Sequence, residues 1–200
     1  MLSGSPRSRI CRPAFTLVEA MVAITITGIA ASVLLLAVES TLSQGDNAVE
    51  RLIAEGLAEQ LLDEALNQHY MEPGTTATTT PFGPTTTEHA GLGRTLFNDS
   101  DDYHNYTAAP PNGFYGETLG TGNDEGGTRP ATLKIPAHLL SQWRQKMEVF
   151  FVNDDNLSQN LTSGTSQFRA LEVTISRQEA GGWLTLAKRR RVYAYLPPGA

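Results

Sequence analysis

The chain of 200 residues is poor in cysteine and lacks the common catalytic motifs. Cys11 is its one cysteine, so no disulfide can form within the chain and no Cys-based zinc site is expected. It contains no nucleophile elbow, no phosphate-binding loop and no HExxH zinc motif. His104 follows Ser100 and Asp102, but three near neighbours in one loop are poor geometry for a catalytic triad. The sequence therefore predicts a protein that is not an enzyme.

Charge is almost absent from residues 15–38. This run has no Lys, Arg or Asp, and Glu19 is its one charged residue. About 20 apolar residues are enough for a helix to cross a bilayer. A charged side chain inside such a helix costs roughly 2.5–3.5 kcal/mol on insertion scales and is functional by default. We therefore predict one membrane-spanning helix over residues 15–38, in which Glu19 needs a partner.

The two flanks of this run carry opposite charge. Arg7, Arg9 and Arg12 precede it, whereas Glu39 and Asp46 are the first charges after it. By the positive-inside rule, the N-terminus stays cytoplasmic and the chain beyond residue 38 is exported. A plain signal peptide would have a shorter apolar region of about 7–15 residues. An uncleaved anchor explains the length of the run but not the presence of Glu19.

The residues around the start of the run form a recognisable motif. Residues 12–23 read Arg-Pro-Ala-Phe-Thr-Leu-Val-Glu-Ala-Met-Val-Ala. This segment resembles the class III signal of type IV prepilins and type II secretion pseudopilins. In that family, prepilin peptidase removes a basic leader immediately before the Phe, the new amine is N-methylated, and the Glu at the fifth mature position guides assembly. The resemblance implies cleavage between Ala14 and Phe15, N-methylation of Phe15, and an assembly role for Glu19.

Two positions depart from the usual pattern of the family. Ala14 stands where a Gly usually precedes the cut, and Leu36 stands where many major pilins have a Pro. The second departure favours a minor subunit over a major one. The resemblance covers only about the first 30 residues of the chain, so the exported part must be interpreted from its own pattern.

The resemblance also implies a fold, a location and partners. The fold class is α+β and pilin-like, with a long N-terminal helix packed on a small antiparallel C-terminal sheet. The implied location is the inner membrane, in a single pass with a cytoplasmic N-terminus and a periplasmic C-terminal domain, and then a filament in the periplasm or at the cell surface. The implied partners are prepilin peptidase, other pilin or pseudopilin subunits, the inner-membrane assembly platform and membrane lipid. Loss of the basic leader makes the chain more acidic than its net charge of −6, which argues against nucleic acid as a partner.

The pattern along the chain predicts five segments: a cleaved leader (1–14), a membrane-spanning half-helix (15–38), an amphipathic half-helix (39–72), a variable excursion rich in Thr, Gly and Pro (73–145), and a sheet region (146–200). Pro73 and Gly74 are expected to end the helix. Strands are expected at 146–152, 169–177 and 183–196, the last two joined by a turn at 178–182. Apolar residues at spacings of three and four predict the buried face of the helix: Val49, Leu52, Ile53, Leu57, Leu61, Ala65 and Leu66.

An acidic cluster in the excursion is a candidate calcium site. Asp99, Asp101 and Asp102 place three carboxylates within four residues, and calcium takes six to eight oxygen ligands. The spacing of an EF-hand is not met, so a solvated acidic turn is the alternative. No other cofactor is predicted.

Residues 188–191 form the strongest basic run, Lys-Arg-Arg-Arg. Such a run could hold the phosphates of DNA. On a strand, however, successive side chains point to opposite faces. The alternatives are a charged sheet edge that blocks edge pairing and a contact with acidic neighbouring subunits.

These observations favour a structural subunit, of the minor kind, in a type IV pilus or a type II secretion pseudopilus. A membrane-anchored periplasmic adhesive or binding module that never polymerises is the first alternative. A DNA-binding minor pilin, which depends on residues 188–191 alone, is the second.

Overall fold

The computed structural model describes residues 16–120, 123–124, 127–128, 130 and 137–197. The chain divides into two units, Met1–Ala48 and Val49–Ala200. Its longest element is helix α1, Leu17–Leu66. Among the described residues, α1 is the one helix that is long and apolar enough to cross a membrane.

In the first unit, the apolar helix satisfies its own polar side chains. The hydroxyls of Thr25, Thr27, Ser32 and Thr41 each donate to the carbonyl oxygen four residues earlier, at 2.7–2.9 Å. A hydroxyl bonded in this way needs neither water nor a second helix. The apolar side chains of this part are exposed to their surroundings, as a lipid-facing helix requires.

The second unit is built on a four-stranded antiparallel sheet with the order β1-β4-β5-β6. Side chains along β4 alternate between buried and partly buried, so one face of the sheet is covered. Gly182 opens β6 with φ of 132°, a conformation that residues with a Cβ rarely adopt, so the turn into this strand needs glycine. The strands of the sheet are β1, Tyr106–Ala108; β4, Trp143–Phe151; β5, Phe168–Glu179; and β6, Gly182–Ala194.

Shorter elements lie in the excursion between helix and sheet. The acidic cluster falls in a 3₁₀ helix at Asp101–Tyr103, and a similar turn spans Glu88–Ala90. Two short strands, β2 (Asn123–Asp124) and β3 (Gly127–Thr128), pair with each other, and α2 (Ala137–Leu140) precedes β4.

The core of the second unit lies between α1 and the covered face of the sheet. The helix contributes three alanines, Ala54, Ala58 and Ala65, whose small side chains let the sheet approach closely. Larger apolar side chains fill the space around them. These are Leu61, Leu62, Trp143, Met147, Val149, Leu171, Val173 and Ile175. The predicted α+β, pilin-like fold, a long N-terminal helix with a small antiparallel sheet, is therefore confirmed.

The buried face of α1 agrees with the prediction in part. Leu61 and Ala65 are buried, and Ile53, Leu57 and Leu66 pack against the core. Val49 and Leu52 are 55% and 68% exposed, whereas Ala54 and Ala58 are fully buried. The prediction was therefore wrong at the N-terminal end of the face, where the small Ala54 and Ala58 are buried instead of Val49 and Leu52.

The boundaries of the elements also differ from the prediction. The helix ends at Leu66 rather than near residue 72, because the backbone that follows pairs with the excursion: the His69 N–H donates to the Asn98 carbonyl at 3.2 Å. Strand β1 and the start of β4 belong to the sheet although they lie within residues 73–145, which were predicted as the excursion. These pairings join distant segments, which local patterning does not reveal.

Candidate functional site

Thr16 and Glu19 close the start of α1 with reciprocal hydrogen bonds. The Glu19 N–H donates to Thr16 Oγ1 at 3.2 Å, and the Thr16 N–H donates to Glu19 Oε2 at 3.1 Å. The Thr16 hydroxyl donates to the same carboxylate oxygen, also at 3.1 Å. This arrangement is a capping box, which satisfies donors that the start of a helix otherwise leaves unpaired. The single chain therefore holds the Glu19 carboxylate at the helix end that the motif places next to the cut.

The other two motif residues, Ala14 and Phe15, lie outside the described residues. Glu19 is exposed and forms no ion pair with a Lys or Arg of the described ranges, 16–120 through 137–197. Within the described part of the chain, its carboxylate is thus hydrogen-bonded but has no counter-charge. In a membrane, such a carboxylate needs a cation or must take up a proton.

The acidic cluster is buried, so its interpretation as a solvated turn is wrong. Asp99 and Asp102 are only 1% and 3% exposed. Asp99 Oδ1 accepts the N–H of Asp101 at 2.8 Å and the N–H of Asp102 at 3.2 Å. Asp102 Oδ2 accepts the N–H of Asn98 at 2.9 Å. These bonds tie the 3₁₀ turn together from within.

Arg169 on β5 supplies the positive charge for this cluster. Its side chain is fully buried, and Nη1 donates to Asp101 Oδ1 at 2.8 Å. Nη1 also donates to the Tyr70 carbonyl oxygen, and Nη2 donates to that of Ala77 at 3.2 Å. The guanidinium lies 4.4 Å from the centre of the Tyr70 ring and 4.8 Å from that of Phe82. One arginine therefore joins the sheet, the chain after α1 and the acidic turn.

Calcium binding by Asp99, Asp101 and Asp102 stays a prediction. Within the part of the chain that the structure describes, no group of three or more His, Cys, Asp or Glu could hold a metal ion. The carboxylate oxygens bond to backbone N–H groups and to Arg169 instead. Melting curves of the full chain with calcium and with a chelator distinguish a calcium site from a cluster held by internal hydrogen bonds alone. A bound ion raises stability as its concentration increases.

Arg94 lies at the centre of a second buried charge network, which was not predicted from the sequence. Arg94 is 2% exposed, and its Nη2 donates to Glu64 Oε2 on α1 at 2.9 Å. The Tyr103 hydroxyl donates to Glu64 Oε1 at 2.9 Å. Arg94 Nη1 donates to Asn112 Oδ1 at 3.0 Å, and Gln145 on β4 donates to the same atom at 3.0 Å.

The basic run on β6 is already paired within the chain. Arg189 bonds to Glu55 at 3.1 Å and Glu59 at 3.2 Å, and Arg191 bonds to Glu59 at 3.2 Å. Lys188 bonds to Glu172 of β5 at 2.8 Å. The run lies on an edge strand and its charges alternate between the two faces, as predicted. Its acidic partners, however, come from the same chain.

His104 and Ser100 hydrogen-bond to different partners. The Nδ1 atom of His104 accepts the N–H of Val149 at 3.2 Å, and burial lowers the pKa of the imidazole. The Ser100 hydroxyl bonds instead to the Tyr70 carbonyl oxygen and to the Tyr193 hydroxyl. The imidazole therefore has a structural hydrogen bond to the sheet.

The buried carboxyls predict a pH-dependent stability. Burial raises the pKa of Asp99 to about 8, with further contributions from the nearby carboxyls of Asp101 and Asp102. An aspartate in the unfolded chain titrates near pH 3.9, so between these values the folded state holds a proton that the unfolded state has lost. This stabilising contribution is fully present below pH 3.9 and is lost as pH rises through about 8. The melting midpoint of the full chain in detergent should therefore fall between pH 6.5 and pH 9.

The variant Asp99→Asn provides the test of this pH dependence. An amide retains the Oδ1 acceptor but cannot titrate, so the variant should show a flatter profile over the same range. Asp155→Asn, at an exposed loop position, is the matched control and should retain the slope of the wild type. The lowered pKa of His104 has the opposite effect on stability at lower pH. The folded state binds fewer protons at this residue than the unfolded state does, so its contribution to stability rises with pH. Equal slopes for wild type and Asp99→Asn above pH 6.5 would contradict the prediction.

Comparison with known proteins identifies the sequence motif around the start of α1. Residues 12–35 match the family model described as the prokaryotic N-terminal methylation motif, the signature of type IV prepilins and pseudopilins. The predicted resemblance is thereby confirmed. No curated protein and no solved structure matches the chain. The chain thus combines the prepilin signature with an α+β, pilin-like fold, and this combination indicates a type IV pilin-like or pseudopilin-like structural protein.

Proposed function

We propose that the chain is a minor structural subunit of a type IV pilus or a type II secretion pseudopilus. Prepilin peptidase would cut it between Ala14 and Phe15, and it would assemble through its N-terminal helix. The observation that carries the proposal is the methylation motif at residues 12–35, with Glu19 as the one charged residue of the run 15–38.

The geometry of Glu19 supports a two-stage role. In the single chain, the carboxylate closes the capping box with Thr16. In a filament, the N-methylated amine of Phe15 from a neighbouring subunit would supply the missing positive charge. Removing either partner of a buried ion pair strongly destabilises the structure that contains it. This pairing would set the axial register of the subunits.

The partners and location follow from the same proposal. Before assembly the chain resides in the inner membrane through the apolar part of α1, with its second unit in the periplasm. Prepilin peptidase, other pilin or pseudopilin subunits, the inner-membrane assembly platform and lipid are its partners. Afterwards it belongs to a filament in the periplasm or at the cell surface.

DNA binding is less well supported than assembly. Arg189 and Arg191 face α1 and are paired with its glutamates, and Lys188 is paired with Glu172. A phosphate would have to displace these carboxylates. A membrane-anchored module that never polymerises shares the fold of a subunit, and processing distinguishes it from one.

Maturation gives the direct test of the proposal. When the chain is expressed together with a prepilin peptidase, it should lose residues 1–14 and begin at N-methylated Phe15. Intact mass and the mass of the N-terminal peptide measure both changes. Phe15→Asp, which places a charge directly after the cut, should leave the leader in place. An unprocessed Met1 terminus in cells that mature other prepilins would overturn the proposal.

A further inference from the structure

An open cavity lies in the second unit, where the chain turns after α1. It has a volume of about 270 Å³ and is lined by residues 69–74 and by Tyr195, which follows β6. Tyr70, Met71 and Tyr195 give it a largely apolar wall. Ligand sites in proteins measure about 300–1,000 Å³, so this cavity, which we call the Tyr195 cavity, suits a single side chain rather than a cofactor.

Glu72 brings a carboxylate without a counter-charge to the Tyr195 cavity. Its Oε2 atom is buried and has no hydrogen-bond partner among the described residues. No Lys or Arg side chain of the described ranges forms an ion pair with it. The Thr75 N–H and hydroxyl donate to the Glu72 carbonyl oxygen at 3.0 Å and 2.7 Å, which fixes the backbone of the turn. Buried carboxylates in proteins are normally paired, so this site lacks a positively charged donor.

His69 adds a second hydrogen-bond acceptor to the cavity. Its Nδ1 lies 3.0 Å from the Asn98 carbonyl oxygen. Because a carbonyl oxygen can only accept, Nδ1 carries the proton of this bond, and Nε2 of the neutral imidazole can only accept. The Tyr70 hydroxyl already donates to the Gln167 carbonyl oxygen at 2.7 Å. Glu72 and His69 therefore favour a ligand that supplies both the donors and a positive charge.

The tyrosine rings beside the cavity already hold one arginine. The Arg169 guanidinium lies 4.4 Å from the centre of the Tyr70 ring, and its charge is paired with Asp101 at 2.8 Å. The Tyr195 ring packs on Tyr70, with the ring centres 5.4 Å apart and the planes at 51°. No cation of the described residues lies over the Tyr195 ring. This ring can therefore take a second cation by the same kind of contact.

A guanidinium matches these groups better than a metal ion or an ammonium. Within the described part of the chain, no group of three or more His, Cys, Asp or Glu could hold a metal ion. A guanidinium is flat, so it can stack on an aromatic ring while two of its N–H groups point at a carboxylate. An ammonium is a compact point charge without this planar fork.

We propose that the Tyr195 cavity binds the side chain of an arginine from a partner protein. The guanidinium stacks on the Tyr195 ring and donates to the carboxylate of Glu72 and to Nε2 of His69. The inference concerns the second unit alone and does not require processing or filament assembly, so the failure of either proposal leaves the other standing.

The experiment measures binding of capped amino acids to the full chain in detergent by isothermal titration calorimetry. N-acetylarginine amide should bind saturably, with one site per chain. N-acetylcitrulline amide has the same shape without the charge, so it should bind on the order of tenfold more weakly or worse, because hydrogen bonds between charged groups are the stronger ones. Free arginine, whose own carboxylate Glu72 repels, should bind more weakly than the capped form. Tighter binding of free arginine would overturn the assignment to a protein partner.

Variants of the cavity locate the binding site. Glu72→Gln should weaken binding of the arginine probe on the order of tenfold or more and leave the melting midpoint unchanged, since its carboxylate has no partner to lose. Tyr195→Leu should also weaken binding; if it fails to fold, Glu72→Gln decides. Glu117→Gln is the matched control, because Glu117 Oε2 is likewise buried without a partner in the described structure but lies outside the cavity. Absence of saturable binding, equal binding of the citrulline probe, or wild-type binding by Glu72→Gln would each overturn the inference.

Discussion

Replacing Glu19 with glutamine is expected to remove the chain from sheared filaments while it remains in the membrane. Glutamine can still accept the Thr16 N–H and so retains the capping box. It cannot, however, neutralise the buried amine of a neighbouring subunit. Loss of one partner of a buried ion pair costs about 3–5 kcal/mol. Because 1.4 kcal/mol is a factor of ten, recovery in the filament fraction should fall on the order of a hundredfold or more.

Two further variants separate charge from helix capping. Glu19→Ala loses both the charge and the cap, so it should assemble no better than Glu19→Gln. Glu39→Gln removes an exposed carboxylate just beyond the apolar run and should assemble like the wild type. The melting midpoint of the second unit should be unchanged in all three, because neither residue belongs to it. Recovery of Glu19→Gln at the level of the wild type would refute the ion-pair mechanism.

Replacing Arg169 with methionine is expected to destabilise the second unit strongly. The substitution leaves Asp101 without its cation in a buried site that already holds Asp99 and Asp102. Two carbonyl oxygens, those of Tyr70 and Ala77, also lose a donor. Breaking a buried pair costs about 3–5 kcal/mol, which should lower the melting midpoint on the order of 10 °C for a domain of this size.

Arg190→Met is the matched control on the neighbouring strand. Its guanidinium donates to the carbonyl oxygen of Leu157 at an exposed position, and surface substitutions usually change stability by less than about 0.5 kcal/mol. The double variant Arg169→Met, Asp101→Asn should be more stable than Arg169→Met, since the unpaired charge is gone. Melting of the full chain in detergent measures all four proteins. Equal midpoints for Arg169→Met and Arg190→Met would show that the acidic cluster does not depend on Arg169.

The strand pattern illustrates what local sequence could predict. The alternation of Leu171, Val173 and Ile175 predicted β5 because a half-buried strand has a period of two. The turn at residues 178–182 was also predicted from local sequence, because it contains Gly181 and Gly182. The structure retains both elements and extends β5 from Phe168 to Glu179. Strand β1 was missed because its three residues gain their order from pairing with β4, far along the chain.

The buried arginines illustrate what local sequence could not predict. Nothing near Arg94 or Arg169 distinguishes them from the arginines of β6, since the carboxylate that each one pairs with lies thirty or more positions away. Likewise, the acidic cluster looked solvated, because its buried neighbours come from the chain after α1 and from the sheet.

The amino-acid sequence by itself determined the apolar helix, its single carboxylate at Glu19 and the processing motif before it, because hydropathy, charge and motif spacing are local properties. It also determined the α+β order of helix and sheet, through the periods of the apolar residues. Only the tertiary structure decided that Ala54 and Ala58 of α1 are buried, which carboxylates Arg94 and Arg169 neutralise, and where Trp183 is exposed. Each of these depends on contacts between segments distant in the chain, whose geometry exists only after the sheet has packed on the helix.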